Sequence, residues 1–442
     1  VLLDNAANLA QVKPLIPPAG CVLLVTSRQP IALPGMERIR LDELAPAEAR
    51  ELLLSLAARI TPELADQICY LCGYLPLAIR AAGSLLAVTE DLDVAEYTAQ
   101  LKEERTRLAS IGEEGVEIGV EASFNLSYAR LNEEAARVFR GLCVFPGSFD
   151  ARAEEAICED TGHKHLSELV KRSLVLFEPT EQRYRLHDLV RVFAANRCSD
   201  AEHQIHHQRH AEYFLAVLTE ADRLYLQGGA VIKEGLALFD REWSNVRAGW
   251  EWVLRHTETM PRALELCSEY PSASGHIAAL RQHPRERIAW LVIALSAAQK
   301  LGQKGAQSMH LNNLGLAYWS LGEYLSAIEF YEQDLAIARE IRDHSGEGTT
   351  LMNLGNAYAD LGEIERAIEF YEQSLPLYRK IGDRRGEGTT FNNLGNAYLN
   401  FGDPQRAIKF CEQSLLIARE IGNRSGEGHS LGSLGEAYAN LG

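Results

Sequence analysis

The sequence predicts a mainly α-helical protein with a partial α/β segment at its start and an α-solenoid at its end. Three observations carry this. A forty-residue unit, first seen as "LNNLGLAYWSLGEYLSAIEFYEQDLAIAREIRDHSGEGTT" from Leu311, recurs so that Gly315, Gly355, Gly395 and Gly435 keep strict period, as do Tyr318, Tyr358, Tyr398 and Tyr438. Parallel-strand character is confined to residues 1–42, where "VLLD", "CVLLVTS" and "ERIRL" are short apolar runs suited to a sheet covered on both faces. Between these ends apolar residues recur at helical spacing, interrupted by "SLVLFEPTEQRYRLHD", whose alternation reads as a hairpin.

The elements can be justified in order. Residues 1–44 carry the strands. Residues 45–110 read as all-helical, with Pro46 and Pro62 at first-turn positions, where the missing N–H costs nothing. Across 111–200, helices followed by a small hairpin suggest a winged helix-turn-helix. Residues 201–270, with "FDREWSNVRAGWEWVL", read as an irregular helical connector. Residues 271–442 hold the repeats, each split by "LGE" or "FGD" into two helices. Gly315 is expected to let the two helices approach, with Tyr318 filling the gap and Ala327 meeting it from the second helix. A degenerate earlier copy is expected over 271–310, where Ile288, Trp290, Leu291, Leu295 and Ala298 match the second helix. Such a unit cannot bury its own apolar face alone, so the copies must stack into a solenoid with a concave groove. This part resembles the tetratricopeptide repeat in a forty-residue form.

Composition narrows the function classes. The 442 residues are too many for one core. A formal net charge of −17 argues against a broad nucleic-acid or membrane-surface footprint in this chain. No run of about eighteen apolar residues and no signal peptide is visible, so a cytoplasmic protein is expected, with no membrane contact. The eight cysteines are scattered, and reduced, mostly buried thiols are the plain expectation. Cys69 and Cys72 form a C-x-x-C, but no second pair lies at zinc-site spacing.

Four stretches carry a more specific signal by their order. Asp4 ends the first strand, Arg28 ends the next in "VTSR", Pro76 opens a helix in "CGYLPLAI", and His187 and Asp188 follow the hairpin in "RYRLHDLVR". Together with the repeats, this order resembles the NB-ARC group of STAND-class P-loop ATPases, in particular bacterial members with tetratricopeptide repeats. The resemblance implies that residues 1–44 are the C-terminal part of a nucleotide-binding domain. It further implies that Asp4 is the Walker B acid holding Mg²⁺ through water, and that Arg28 is a sensor arginine. Pro76 would pack near adenine, and His187 would contact the β-phosphate of ADP. Each has a plainer alternative: a surface arginine, a helix-starting proline, a hydrogen-bonded core histidine.

The departures matter. Leu186 stands where the last motif has Met, and Tyr74 where many relatives have Gly. Asn5 follows Asp4 where hydrolases often place a second carboxylate, and an amide cannot take a proton from water. That favours a slow switch, at most a slow ATPase, over a turnover enzyme. No G-x-x-x-x-G-K-[ST] occurs in the sequence. The backbone cradle and lysine that bind phosphate are thus expected upstream, and no nucleotide is expected to stay tightly bound to these residues alone.

Two constellations remain. His203, His206, His207 and His210 lie at helical spacing that suits a metal, but a solvated helix face is the expectation. Asn313, Asn353 and Asn393 recur on first helices of the repeats, as do Asn356 and Asn396. Amides there can recognise an extended peptide in the groove, or else bridge neighbouring units. The reading is an ADP/ATP-dependent signalling switch whose repeats bind a protein or peptide and which self-associates in its ATP state. The alternatives are a transcriptional regulator with its DNA-binding domain outside this chain, and a repeat scaffold without nucleotide switching.

Overall fold

The computed structural model describes residues 2–3, 6–18, 20–27, 31, 33, 35–37, 39, 43–110 and 117–441. It is mainly helical, and the chain divides into two compact units, Val1–Ser123 and Phe124–Gly442.

In the first unit, β1 (Leu2–Leu3) pairs in parallel with β2 (Leu24–Val25), Leu2 opposite Leu24, and α1 (Leu9–Val12) lies between them in sequence. Asn8 caps α1 by accepting from the Ala10 and Gln11 amides. Leu3 and Val25 pack with Val12, Ala6 and Ile31, while their in-register neighbours Leu2 and Leu24 are 64% and 55% exposed. Side chains alternate across a strand, so one face of this pair is covered and the other is not, where the sequence predicted cover on both. Much of "ERIRL" lies outside the described residues.

Four helices follow: α2 (Pro46–Leu56), α3 (Pro62–Leu71), α4 (Pro76–Val88) and α5 (Val94–Ser110). The first three each open on proline, with Thr61 Oγ1 capping α3 through the Leu64 amide. Leu53, Ile68, Ile79, Leu85 and Leu101 are fully buried and form their core. The division between the units falls within α6 (Glu117–Tyr128).

The second unit begins with α7 (Glu133–Gly141), α8 (Ala151–Cys158) and α9 (Lys164–Lys171). An antiparallel hairpin, β3 (Leu176–Glu178) with β4 (Arg183–Arg185), precedes α10 (Asp188–Ala195). Phe149 extends the hairpin by pairing its amide and carbonyl with Tyr184. Two long helices, α11 (Asp200–Gln227) and α12 (Ile232–His256), pack along each other, and α13 (Pro261–Ser272), α14 (Gly275–Arg281) and α15 (Pro284–Lys300) lead into the array. Trp290 of α15 stacks on Trp250 of α12 (4.5 Å), which seats the degenerate unit on the connector.

The array pairs α16 (Lys304–Ser320) with α17 (Tyr324–Glu340), α18 (His344–Leu361) with α19 (Ile364–Ile381), and α20 (Arg384–Phe401) with α21 (Pro404–Glu420); α22 (Arg424–Ala439) follows. The close approach is real, but its partner differs from the expectation. A Cβ on Gly315 would sit 2.3 Å from Tyr331, one on Gly355 2.4 Å from Tyr371, and one on Gly395 2.3 Å from the Cys411 sulfur. A second-helix side chain, Tyr331, Tyr371 or Cys411, rather than Tyr318 or Ala327, fills the space that glycine vacates. Tyr318 instead stacks on Phe330, Tyr358 on Phe370 and Tyr398 on Phe410, at 5.2, 5.3 and 5.4 Å. Units are further joined by the ion pairs Arg339–Glu347, Arg379–Glu387 and Arg419–Glu427, all at 2.7–2.8 Å.

Candidate functional site

Asp4, Asn5 and Arg28 lie outside the described residues. Pro76 is the first residue of α4 and is exposed, with Leu75 at the cap position. The turn before it holds Gly73 at φ +63° and Tyr74 at φ +55°. For a residue with a side chain the left-handed region costs roughly 1–2 kcal/mol, so the tyrosine in place of glycine is accommodated at the expense of strain.

His187 belongs to the other compact unit. It caps α10: its Nδ1 accepts from the Leu189 amide at 3.2 Å, so the proton of the neutral ring sits on Nε2. Asp188 pairs with Arg191 at 2.9 Å, and Leu186 is buried beneath the turn. The hairpin leading to His187 is anchored by a buried charge pair. Arg183 makes two bonds to Glu242 of α12, at 2.6 and 2.9 Å, and two more to Ser148. Both side chains are at most 6% exposed. The His187 turn is therefore fixed to the connector helix by a pair that water hardly reaches.

The histidine row on α11 is not a solvated face. His206 and His210 are 3% and 1% exposed, because α7, α8 and the Phe145 turn cover this side of the helix. His206 Nδ1 meets the Ile157 carbonyl at 3.3 Å, and His210 packs between Phe145 and Phe214. Burial, reinforced by neighbouring cations, pushes His207 down to about 4; burial and His207 push His210 down to about 3. Helical spacing alone does not reveal which side a later element will cover.

Among the described residues, His203 is the member of that row that joins a cluster of three possible metal ligands. A 3₁₀ turn at Leu142–Val144 presents Cys143, and the link from α10 to α11 presents Cys198, just before a capping box in which Ser199 and Glu202 bond reciprocally. One ring nitrogen of His203 and the two sulfurs lie within 4.8 Å of one another. The two thiols interact, which holds Cys198 below its usual value and, with burial, raises Cys143. The group opens on a cleft of about 660 Å³, lined also by His207, Trp252, Arg255 and His256. Sequence reasoning passed over both cysteines, since nothing in their spacing links positions 143 and 198. The C-x-x-C pair is buried, and burial raises Cys69 to about 11 and Cys72 to about 12, so neither is a ready nucleophile.

The repeat asparagines serve chiefly as rungs between units. Asn393 Nδ2 donates to Asn356 Oδ1 at 3.0 Å, and Tyr371 donates to the same oxygen at 2.8 Å. Ser433 donates to Asn396 at 2.7 Å, and Arg287 to Asn313 at 3.2 Å. Asn353 reaches Asn312 at 3.4 Å, within a buried network around Asp334 that includes Ser308 and Thr350. Asn392, which the sequence did not single out, differs. Its Oδ1 is buried and has no hydrogen-bond partner among the described residues. It lines a small cavity of about 110 Å³ between α20, α21 and α22, with Arg385, Thr389, Asn393, Asn423 and His429.

Comparison with known proteins places the repeats in a family. Residues 306–380 and 388–421 each match a tetratricopeptide repeat family. The regulatory protein AfsR of Streptomyces coelicolor is 39% identical over 204 residues, which is 44% of this chain and 20% of AfsR. A Mycobacterium tuberculosis protein named as an HTH-type transcriptional regulator is 27% identical over 360 residues, 73% of this chain and 38% of the relative. A crystal structure of a STAND protein with a tetratricopeptide repeat sensor, PH0952 from Pyrococcus horikoshii, aligns with a TM-score of 0.40 and 17% identity, over 94% of this chain and 67% of that one. The chain spans about a fifth of the length of the AfsR relatives it matches. Its C-terminal region is an array of tetratricopeptide repeats.

Proposed function

We propose that this chain is the ligand-sensing portion of a larger cytoplasmic regulator of transcription, with a protein or peptide bound by the tetratricopeptide array. The observation that carries it is the Asn392 side-chain carbonyl, buried and without a partner among the described residues, in a cavity between successive units. A buried acceptor without a donor is costly, and a peptide N–H supplies one. AfsR and the mycobacterial relative are named as regulators, which favours an output in transcription, with DNA contact made outside these residues. A displayed library of extended peptides tests this. Peptides that bind the chain should lose roughly tenfold in affinity with Asn392→Ala, about the worth of one buried hydrogen bond. Undiminished binding by that variant overturns the assignment of the cavity.

Nucleotide switching belongs to the same reading. ADP or ATP with Mg²⁺ would be held in the longer protein, with Asp4, Arg28 and Pro76 on the nucleotide side and His187 offering its Nε2–H to phosphate. A ligand in the repeats shifts such a switch only by binding its two states differently, and self-association follows in the ATP state. What supports it here is the His187 tautomer and its anchoring through Arg183 and Glu242. In the intact protein, His187→Ala should release ADP and raise activity. If ADP is lost while partner binding and activity are unchanged, the scaffold reading takes its place.

A further inference from the structure

We propose that Cys143, Cys198 and His203 form a binding site for a borderline-soft divalent cation, Zn²⁺ in the first instance, with its fourth position open to the adjoining cleft. The three ligand atoms already lie within 4.8 Å of one another, though they come from three separate segments. A tetrahedral zinc with Zn–S near 2.3 Å and Zn–N near 2.0 Å needs ligand separations of about 3.5–3.8 Å. The site therefore closes by about 1 Å, within reach of side-chain rotation. Binding replaces the two thiol protons, which pass to solvent, and leaves a site of no net charge.

The surroundings fit a site better than a chance meeting. His203 Nε2 lies 3.0 Å from the Ala195 carbonyl, which can only accept, so this nitrogen carries the proton. Nδ1 keeps its lone pair, and the proposal assigns the cation to that nitrogen. A ligating histidine commonly has its second nitrogen held in this way by a backbone carbonyl. His207, stacked on His203 at 5.8 Å, lines the same cleft, as do Trp252 and His256. Space for a water or an exogenous ligand is thus available on the open side. A further donor supplied from the protein would have to come from that wall.

Occupation has a mechanical consequence. Cys143 sits in the turn after α7, Cys198 in the link between α10 and α11, and His203 in the first turns of α11. A cation would staple the turn after α7 to the α10–α11 junction, at the end of α10 opposite His187. The staple is independent of whether the longer protein holds a nucleotide.

The test uses the chain freed of metal under reducing conditions and titrated with Co²⁺, then with Zn²⁺. One equivalent of Co²⁺ should give the near-ultraviolet thiolate-to-metal charge-transfer band and the visible bands of a tetrahedral site, both displaced by Zn²⁺. Cys143→Ser and Cys198→Ser should lose the charge-transfer band, and His203→Ala should weaken Co²⁺ roughly tenfold or more. Cys69→Ser should leave the spectrum unchanged. Alkylation of the unaltered chain gives a second readout: Zn²⁺ should protect Cys143 and Cys198 and leave exposed Cys21 reactive. A charge-transfer band that survives both serine variants, absence of the band, or a Cys143–Cys198 disulfide that forms in the reduced protein's place would each overturn the proposal.

Discussion

The repeat array and the segment from α7 to α12 solve the problem of joining helices in opposite ways. In the array every device recurs: a glycine under a second-helix side chain, a stacked Tyr–Phe pair, an Arg–Glu link to the next unit. Between α7 and α12 each joint is made once, by groups that are expensive to bury: the Arg183–Glu242 pair, His210, and the Cys143–Cys198–His203 cluster. Periodic joints spread stability over many equal increments. Single joints concentrate it, and so make the region that presents His187 the more sensitive to one substitution.

The largest expected effect breaks a single joint. Glu242→Ala leaves the Arg183 guanidinium buried without its counter-charge and should cost about 3–5 kcal/mol, read as a lowered denaturant midpoint. Overpacking a periodic joint should cost less. Gly355→Ala drives a methyl into Tyr371, and the ring must shift, for about 1–3 kcal/mol. If the array loses more than the segment, the contrast drawn above is wrong.

Acidification acts next on both regions, on α11 through His210 and on α16 through His310. His210 is held down to about 3 and His310 to about 4, chiefly by burial, against an unfolded value near 6.5. Below that value the unfolded chain takes up protons that the folded chain refuses, so stability is lost as pH falls through 6.5 toward the folded values. From pH 7 to pH 5 the loss should be about 2 kcal/mol for a fully buried histidine. Thermal melts of His210→Leu should show a shallower fall over this range, whereas an unchanged slope would remove His210 from the account. The smallest effect is expected of Asn393→Ala. It removes one rung while Tyr371 still satisfies Asn356, and should cost about 0.5–1.5 kcal/mol by chemical denaturation.

This contrast also sets what the sequence could tell. The array was legible because each unit repeats its constraint, and both helices of every complete unit lie where the apolar spacing puts them. The identity of the ring above Gly315 was not, since Tyr318, Phe330 and Tyr331 are all aromatic and only the packing chooses among them. The histidine row was misread because the cover over α11 comes from α7, α8 and the Phe145 turn, far earlier in the chain. Cys143 and Cys198 meet only once the 3₁₀ turn and the end of α10 are in place. Asn392 was hidden for a subtler reason. Its counterpart Asn312 donates to Asp334 and accepts from Asn353, but two repeats on, those positions are Ser414 and Ser433, and Ser433 donates to Asn396 instead.

The central claim, that the array senses a ligand at Asn392, is tested most directly by hydrogen exchange on the chain with and without a selected peptide. The account predicts slowed exchange confined to α20–α22, around Thr389–Asn393 and Asn423–His429, with α16–α18 unchanged where Asn353 already donates to Asn312. Protection centred on α11 and α12, or protection that survives Asn392→Ala unaltered, would contradict it.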